Sequence, residues 1–380
     1  MNILVLNAGS SSLKYQLIEM PSQKVKCVGI VERIGMADSI FTHEKEGKEH
    51  TEVLPILDHE VGLKKSVDEI EAVGHRVVHG GNKFSKTVVV TKQVKDSIRE
   101  LFDLAPLHNP ANLTGIEIAE TIFTSAKQIA IFDTAFHQTM PKKAYQFAIP
   151  NRYLNQHHIR AYGFHGTSHK YVSEKAIEKL NKKDSKIITI HLGNGCSMAA
   201  IKNGKTIDTS MGFGPMNGLI MGTRSGDIDP SVIFYLMKKF DKNAEEVNKL
   251  LQKESGMLGL TGYSDLREIS EKAIGCDENC NNALQLAAYR IQKFIGSFVA
   301  ALNGLDAIVF TAGIGENSDV MRKLVCENLD FLGIDLDEQK NAIRSKEIRE
   351  IQKESGKVTL FVIPTNEEVE IAKQSYEVLK

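Results

Sequence analysis

The sequence predicts an α/β fold in two domains, and three observations carry that expectation. The first is size: at roughly 150 residues per domain, the 380 residues make two or three domains, each large enough to bury a core. The second is pattern, because short apolar runs rich in Ile and Val alternate with longer amphipathic stretches. The third is an internal repeat. Sliding the chain by 184 residues, the distance from Gly9 to Gly193, lays ILVLNAGSSSLKYQLI (3–18) over IITIHLGNGCSMAAI (187–201).

Residues 3–6 (ILVL) read as the first buried strand, since a parallel sheet covered on both faces needs continuous apolar runs. In the repeat this strand ends in a polar residue, Asn7 in the first copy and His191 in the second. One residue later comes Gly9 or Gly193, then small or polar residues (Ser10, Ser11 and Ser12; Asn194, Gly195 and Cys196), then a second strand that closes a hairpin. Helical spacing follows at 93–103, then a strand at 129–132 (IAIF), a helix at 169–182 and the second copy's strand at 187–190 (IITI). Stretches 243–252 and 281–302 read as helices, the latter with Leu284, Ala287, Ala288, Ile291, Ile295, Phe298 and Val299 on one face. Strands at 307–310 (AIVF) and 359–363 (TLFVI) and a helix at 366–379 complete the chain.

Composition excludes several classes. The 47 basic and 48 acidic side chains give a formal charge of −1, unlike a protein that coats nucleic acid. No apolar run reaches the roughly 18 residues a membrane span needs, and the opening MNILVLNAGSSSLK lacks the flanks of a signal peptide. The five cysteines (Cys27, Cys196, Cys276, Cys280, Cys326) are too scattered for a disulfide scaffold and suit a cytosolic, reduced protein.

Turns rich in Gly and Ser let backbone N–H groups converge on an anion, and Lys14 adds a positive charge within reach. FTAGIGENS (310–318) supplies a third such segment, a strand running into a Gly turn and then a helix. Each alone is equally a plain tight turn; three at the ends of apolar strands point to nucleotide binding. The familiar nucleotide motifs are absent. Gly204-Lys205-Thr206 has Ala199 where a P-loop needs Gly, so NGKT reads as a hairpin turn. Gly212-Phe213-Gly214 meets Gly218 one residue too late for a dinucleotide fingerprint. HGTSH has no Glu beside its first His, which argues against a zinc protease.

Polar groups also cluster beside glycines and at strand ends, in GHRVVHGG (74–81), LAPLHNP (104–110), IFDTAFHQTMP (131–141), YGFHGTSH (162–169) and MGTRSGDIDP (221–230). Arg76 and Arg224 fit either a structural salt bridge or anion recognition, which the guanidinium fork performs bidentately. Asp133 follows IAIF and therefore stands at the C-terminal end of a buried strand, where open α/β sheets place ligands. Asp227 and Asp229 read as residues that hold their own loop together.

Taken together, NAGSSSLK, HRVVHGG, APLHNP, FDTAFH, GFHGTSH, HLGNG, MGTRSGDIDP, GIGEN and PTNEE resemble the signatures of the acetate kinase (acetokinase) family, in the family's order and from residue 3 to about residue 375. The resemblance implies membership of the acetate and sugar kinase/actin superfamily: two duplicated ribonuclease-H-like (actin-like ATPase) domains with a nucleotide cleft between them. We expect residues 1–133 plus 367–380 in the N-terminal domain and 134–366 in the C-terminal, nucleotide-binding one. The implied reaction is reversible Mg²⁺-dependent phosphoryl transfer from ATP to acetate, giving acetyl phosphate and ADP, with Mn²⁺ as an alternative metal. A cytoplasmic homodimer is implied as well, with no nucleic-acid or membrane partner.

Carried over residue by residue, the resemblance makes Arg76 bind the acetate carboxylate or the phosphoryl group beside it. Arg224 stabilises the phosphoryl oxygens in flight, and His165 donates a hydrogen bond to the same group. Asn7 and Glu367 match magnesium-associated positions, and Lys14 an ATP contact. His191, Leu192, Gly193, Asn194 and Gly195 match the phosphate cradle. Asp265, Leu266 and Arg267, with Gly313, Ile314, Gly315, Glu316 and Asn317, match positions lining the nucleoside. Val78, Leu107, Phe164 and Pro215 match a pocket for the methyl group. Asp133 is the family's catalytic acid/base, yet acetate is already ionised at neutral pH and has no proton to give up. We therefore expect Asp133 to act electrostatically, orienting an Arg or a magnesium-bound water. Gly214, Met216 and Asn217 stand where many relatives show Thr, Leu and Glu, which keeps propionate open as the acceptor. A mere nucleotide switch has no need of Arg76, His165 and Arg224 together, so catalysis is expected.

Overall fold

The computed structural model describes residues 1–9, 11–56 and 70–380, so Ser10 of the first Ser-rich turn lies outside the described residues. The chain divides into two units, Met1–Gln138 with Asn366–Lys380, and Thr139–Thr365.

The first unit is built on the strands β1 (Asn2–Ala8), β2 (Ser12–Glu19), β3 (Lys24–Glu32), β4 (Ser39–Lys45), β5 (Lys48–Leu54), β6 (Ala72–Val77), β7 (Val88–Val89) and β8 (Lys127–Phe132). Among the described residues they form one sheet in the order β5-β4-β3-β2-β1-β6-β8-β7. β1 runs antiparallel to β2 and parallel to β6, which runs parallel to β8. Leu4, Leu6, Leu13, Tyr15 and Leu17 bury one face of the hairpin with Val31 and Phe41. The C-terminal helix Glu367–Leu379 returns to pack on this sheet; Gly74 of β6 leaves it room, since a methyl there would stand 2.6 Å from Ser375 Oγ.

The second unit carries β9 (Lys186–Leu192), β10 (Cys196–Lys202), β11 (Lys205–Thr209), β12 (Ala307–Thr311), β13 (Arg349–Glu350) and β14 (Thr359–Val362), in the order β11-β10-β9-β12-β14-β13 among the described residues. β9 and β10 are antiparallel, while β9, β12 and β14 are parallel. The core order β3-β2-β1-β6-β8 of the first sheet thus recurs as β11-β10-β9-β12-β14 in the second. This is the duplicated α/β topology expected from the sequence.

The repeat is sharper in structure than in sequence. β1 and β9 have bounds that coincide at the 184-residue offset, but their hairpins differ by one residue. Ala8 faces Leu13 across the first turn, whereas Leu192 faces Cys196 across the second, which is one residue shorter. NGKT is a hairpin turn as expected: Asn203 and Gly204, at φ 55° and 74°, link Lys202 to its partner Lys205.

Three local expectations need correction. The helix expected at 93–103 spans Lys92–Arg99 and gives way to a 3₁₀ turn at Phe102–Leu104, because buried Leu101 has left the helical region. The helix expected at 169–182 starts earlier, at Gly166, and stops at Leu180, where Asn181 turns left-handed. In 310–318 no separate Gly turn precedes the helix. Ala312–Asn317 is itself helical directly after β12, with Ala312 at φ 64° absorbing the change of direction.

Candidate active site

The residues singled out in the sequence fall into two polar centres, one in each unit. The first gathers at the ends of β1, β6 and β8. Arg76 of β6 meets Asp133, one residue past β8, through Nε and Nη2 at 3.0 and 2.6 Å from Oδ2. Glu367, opening the C-terminal helix, lies 3.7 Å from Arg76 Nε. Burial works against the Arg76 charge, but Asp133 and Glu367 more than offset it and raise its pKa. Burial also pushes the Glu367 carboxyl up to about 7, with Arg76 opposing and the Asp133 charge adding to the rise. One guanidinium thus answers a crowd of carboxylates, Asp133, Glu367 and Glu368. Asn7 is the direct cross-strand partner of Lys14, whose charge acts on Glu367. Val78 and Leu107 belong to this unit; Leu107 is exposed, in the turn before the helix Asn109–Ile122.

Two asparagines of the APLHNPAN run, of which Asn112 lies outside the segments singled out in the sequence, fix the segment after β6. Asn112 accepts from Val78 N at 3.1 Å and donates to Ala8 O at 2.9 Å, joining that segment to the end of β1. Asn109 exchanges two hydrogen bonds with the His79 backbone, at 3.1 and 3.0 Å. Each amide pairs a donor and an acceptor with backbone groups that no ladder serves.

The second centre forms where the β9–β10 turn meets the start of the helix Gly166–Leu180. His165 caps that helix with a left-handed backbone, φ 55°, a conformation non-Gly residues adopt sparingly. Its ring stacks on His191 with centroids 4.3 Å apart. A methyl on Gly195 would stand 3.3 Å from His165 Nε2 and 3.8 Å from Arg224 Nη1, so two donors converge on the space beside the turn. Arg224 bonds Pro215 O at 2.9 Å and has no carboxylate partner among the described residues; burial lowers its pKa. Asn194 takes part through its backbone, accepting from Gly222 N at 3.2 Å, and Leu192 and Phe164 are buried. A methyl on Gly193 would lie 3.9 Å from Ala312 Cβ, which brings the turn beside the helix holding Gly313–Asn317. Asp265 caps the helix that begins with Leu266 and pairs with exposed Arg267. Asp227 and Asp229 do hold their own loop: Asp227 accepts from Gly218 N at 2.7 Å and Asp229 caps the helix Pro230–Phe240.

The geometry therefore offers an acid-rich centre with a clamped guanidinium and a second centre rich in anion donors. The sequence profile of the acetokinase family matches residues 2–373. The chain belongs to the acetokinase family. A relative from Flavobacterium johnsoniae named acetate kinase is 59% identical, covering all of both chains. The crystal structure of Porphyromonas gingivalis acetate kinase is similar at a TM-score of 0.94, with 43% identity and full coverage of both chains. A propionate kinase from Francisella tularensis is similar at a TM-score of 0.93 and 40% identity over 99% of each chain. The family and fold expected from the motifs are borne out, and an acetokinase is a phosphotransferase with a carboxyl group as acceptor. No helix among the described residues is long and apolar enough to cross a membrane.

Other residues of this acetokinase escaped the sequence reading. Ser197 lies 2.8 Å from both His165 Nδ1 and His169 Nε2, and Ser168 lies 2.9 Å from His191 Nδ1. Buried Arg322 donates to Gly315 O and Glu316 O at 2.8 and 3.0 Å and to Asn341 Oδ1 at 2.7 Å, tying down the helix Ala312–Asn317. Ser and Arg are common residue types, and the partners stand up to 32 residues away, so no spacing signals them.

Proposed function

We propose that this chain transfers the γ-phosphoryl group of ATP reversibly to acetate, giving acetyl phosphate and ADP. A carboxylate oxygen of acetate forms the new P–O bond while the bond to the ADP oxygen breaks, and ADP leaves with that electron pair. No proton moves in this direction, so positioning and charge stabilisation are the whole task. One observation carries the reading: Arg224 is a half-buried cation with no carboxylate partner among the described residues, beside His165 and a Gly turn. A charge held that way is stabilised by an anion placed against it.

In this reading Arg224 and His165 Nε2 hold the phosphoryl oxygens, and His191–Gly195 cradle the nucleotide phosphates. Lys14 contacts ATP, and Asp265–Arg267 with Gly313–Asn317 line the nucleoside. Arg76 receives the acetate carboxylate, and Asp133 orients Arg76 by its bidentate pairing. Val78 and Leu107 of the first unit and Phe164 and Pro215 of the second are the positions proposed for the methyl group. A divalent cation fits the first centre, because Asn7 and Glu367 offer hard oxygen donors and the crowded carboxylates leave negative charge to neutralise. Among the described residues no group of three or more His, Cys, Asp or Glu is placed to hold a metal ion by itself. Bound there, Mg²⁺ or Mn²⁺ neutralises the charge of the phosphates.

Propionate is the second reading, favoured by the Francisella tularensis relative and by the loop at Gly214, Met216 and Asn217. Asn217 Oδ1 accepts from Gly212 N at 2.9 Å and sets the course of the loop that carries Pro215. An added methylene is worth only about 1–3 kcal/mol in such a pocket. The free thiols suit a cytoplasmic setting. A homodimer is supported by the helix Pro230–Phe240, which buries none of its residues and exposes Phe234, Tyr235 and Phe240. Sedimentation of the chain at micromolar concentration tests it; a monomer ends that part of the proposal. The activity is tested by hydroxamate trapping with ATP and Mg²⁺ and, in parallel, acetate, propionate or butyrate. Acyl phosphate forms fastest with acetate; none from any of the three would sink the assignment.

A further inference from the structure

His165, assigned above to the phosphoryl group, is the end of a chain of buried hydrogen bonds. Thr189 Oγ1 lies 2.7 Å from His169 Nδ1, His169 Nε2 lies 2.8 Å from Ser197 Oγ, and Ser197 Oγ lies 2.8 Å from His165 Nδ1. Thr189, His169 and Ser197 are all fully buried. Thr189 and His191 alternate on β9, and Ser197 faces His191 across the hairpin. One face of a buried sheet is thus polar where it meets the helix Gly166–Leu180, while Ile188, Ile190 and Leu192 take the other face. Burying hydroxyls and imidazoles is costly unless each proton has a partner, so the arrangement calls for a reason.

Counting protons supplies it. The Ser197 hydroxyl has one proton to serve two imidazole nitrogens, so it donates to one and accepts from the other. The chain can therefore run in only two directions when both histidines are neutral. Running outward from His165, Thr189 would be the final acceptor. Its own hydroxyl proton would then be buried with no acceptor among the described residues, since His169 is its one hydrogen-bond partner there. A buried donor left unpaired costs its full desolvation. Running inward, Thr189 donates to His169, His169 Nε2–H donates to Ser197, and Ser197 donates to His165 Nδ1. No proton is stranded. His165 then carries its proton on Nε2, the nitrogen 3.3 Å from the methyl position of Gly195 and on the side of Arg224.

We propose that Thr189, His169 and Ser197 are positioning residues that lock His165 in the Nε2–H tautomer, so that it presents a donor to an anion held at the β9–β10 turn. The inference rests on the reading of His165 as a phosphoryl contact only for its catalytic consequence; the tautomer itself is fixed by the hydrogen-bond chain. Long-range ¹H–¹⁵N correlation spectra of the full-length protein read tautomers directly, with His165→Gln assigning the signal. The expected result is a neutral His165 protonated on Nε2 in the parent protein. Thr189→Val, nearly isosteric and touching His169 rather than His165, should move His165 toward a tautomer mixture, as should Ser197→Ala. kcat should fall about 10–100-fold in Ser197→Ala, the range for loss of an orienting partner, with KM for acetate within about threefold. Ser197→Thr should restore the Nε2–H signal. An Nδ1–H tautomer in the parent protein, or an unchanged tautomer in both Thr189→Val and Ser197→Ala, overturns the proposal. If His165→Gln keeps full rate, the phosphoryl reading fails instead, and the spectra still decide the tautomer.

Discussion

The two units repeat one strand order and carry opposite chemistry. At equivalent places on the first hairpin of each, the cross-strand pair is Asn7 with Lys14 in one and His191 with Ser197 in the other. Around the first pair stand carboxylates: Asp133, Glu367 and Glu368 share Arg76. Around the second stand imidazoles, hydroxyls and an arginine without a carboxylate partner among the described residues. The repeated backbone fixes where the polar groups emerge, and the side chains decide whether the place suits a cation or an anion. Arg76 is held in an ion pair by Asp133, its clamp, whereas Arg224 has no carboxylate partner among the described residues and in the proposed function is the receptor for the phosphoryl group.

Removing the receptor should have the largest effect. Arg224→Gln is expected to lower kcat by about 10³-fold, the lower end for a guanidinium that stabilises phosphoryl transfer, while calorimetry shows ATP affinity changed by less than about tenfold. A loss below about tenfold in kcat would show that the unpaired cation is not where the phosphoryl group passes.

Removing the clamp should cost less rate and more stability. Asp133→Asn keeps the shape but leaves Arg76 facing an uncharged amide, so kcat should fall about 10²-fold with the pH profile unchanged. Disappearance of an ionisation limb would instead identify Asp133 as a base. Breaking a buried pair on one side typically costs about 3–5 kcal/mol, so the urea midpoint should drop, and it should drop further than in Arg224→Gln, which breaks no pair.

The contrast explains what was legible in the sequence. Strand ends and glycine turns show in the apolar runs and in the 184-residue repeat, because burial and backbone conformation dictate residue type locally. Arg76 stands out within a run of Gly and Val, Arg224 between Thr and Ser near two acids, and Asp133 at the end of the apolar run IAIF. The one-residue difference between the two hairpins does not show, since register depends on the pairing of two strands and not on either alone. Nor do β3, β4 and β5, whose half-exposed patterns lack the continuous apolar run of a buried strand. Ser197, Thr189 and Arg322 are invisible for a third reason: their meaning comes from partners that folding brings near.

A smaller effect comes from filling the space beside the second turn. Gly195→Ala places a methyl 3.3 Å from the His165 ring and 3.8 Å from Arg224 Nη1 without backbone strain, because Gly195 does not adopt a positive φ. We expect kcat/KM to fall about tenfold through displacement of the bound group, with a melting temperature within about 2 °C of the parent. An unaffected rate would mean that the donors do not converge on the reacting group.

The smallest expected effect lies in the first unit and concerns stability alone. His75 and His79 are buried, and burial lowers both to a pKa of about 4. His79 Nδ1 accepts from Gly81 N at 2.9 Å, a bond that protonation of Nδ1 would end, while the bond His75 Nε2 donates to Gln128 Oε1 at 2.8 Å opposes the lowering that burial causes. The unfolded chain takes up these protons near pH 6.5 and the folded chain only near 4, so the contribution is complete above 6.5 and is lost as pH falls toward 4. Each histidine gives a slope of at most about 1.4 kcal/mol per pH unit in that window. Glu367, raised to about 7, works in the opposite direction, since its folded form holds a proton that the unfolded chain releases above about 4.5. The decisive quantity is therefore the difference between the parent and His75→Gln, in which the Glu367 contribution cancels. Urea midpoints measured from pH 7 to pH 5 should fall less steeply in His75→Gln; parallel curves would place the acid sensitivity of the first unit elsewhere.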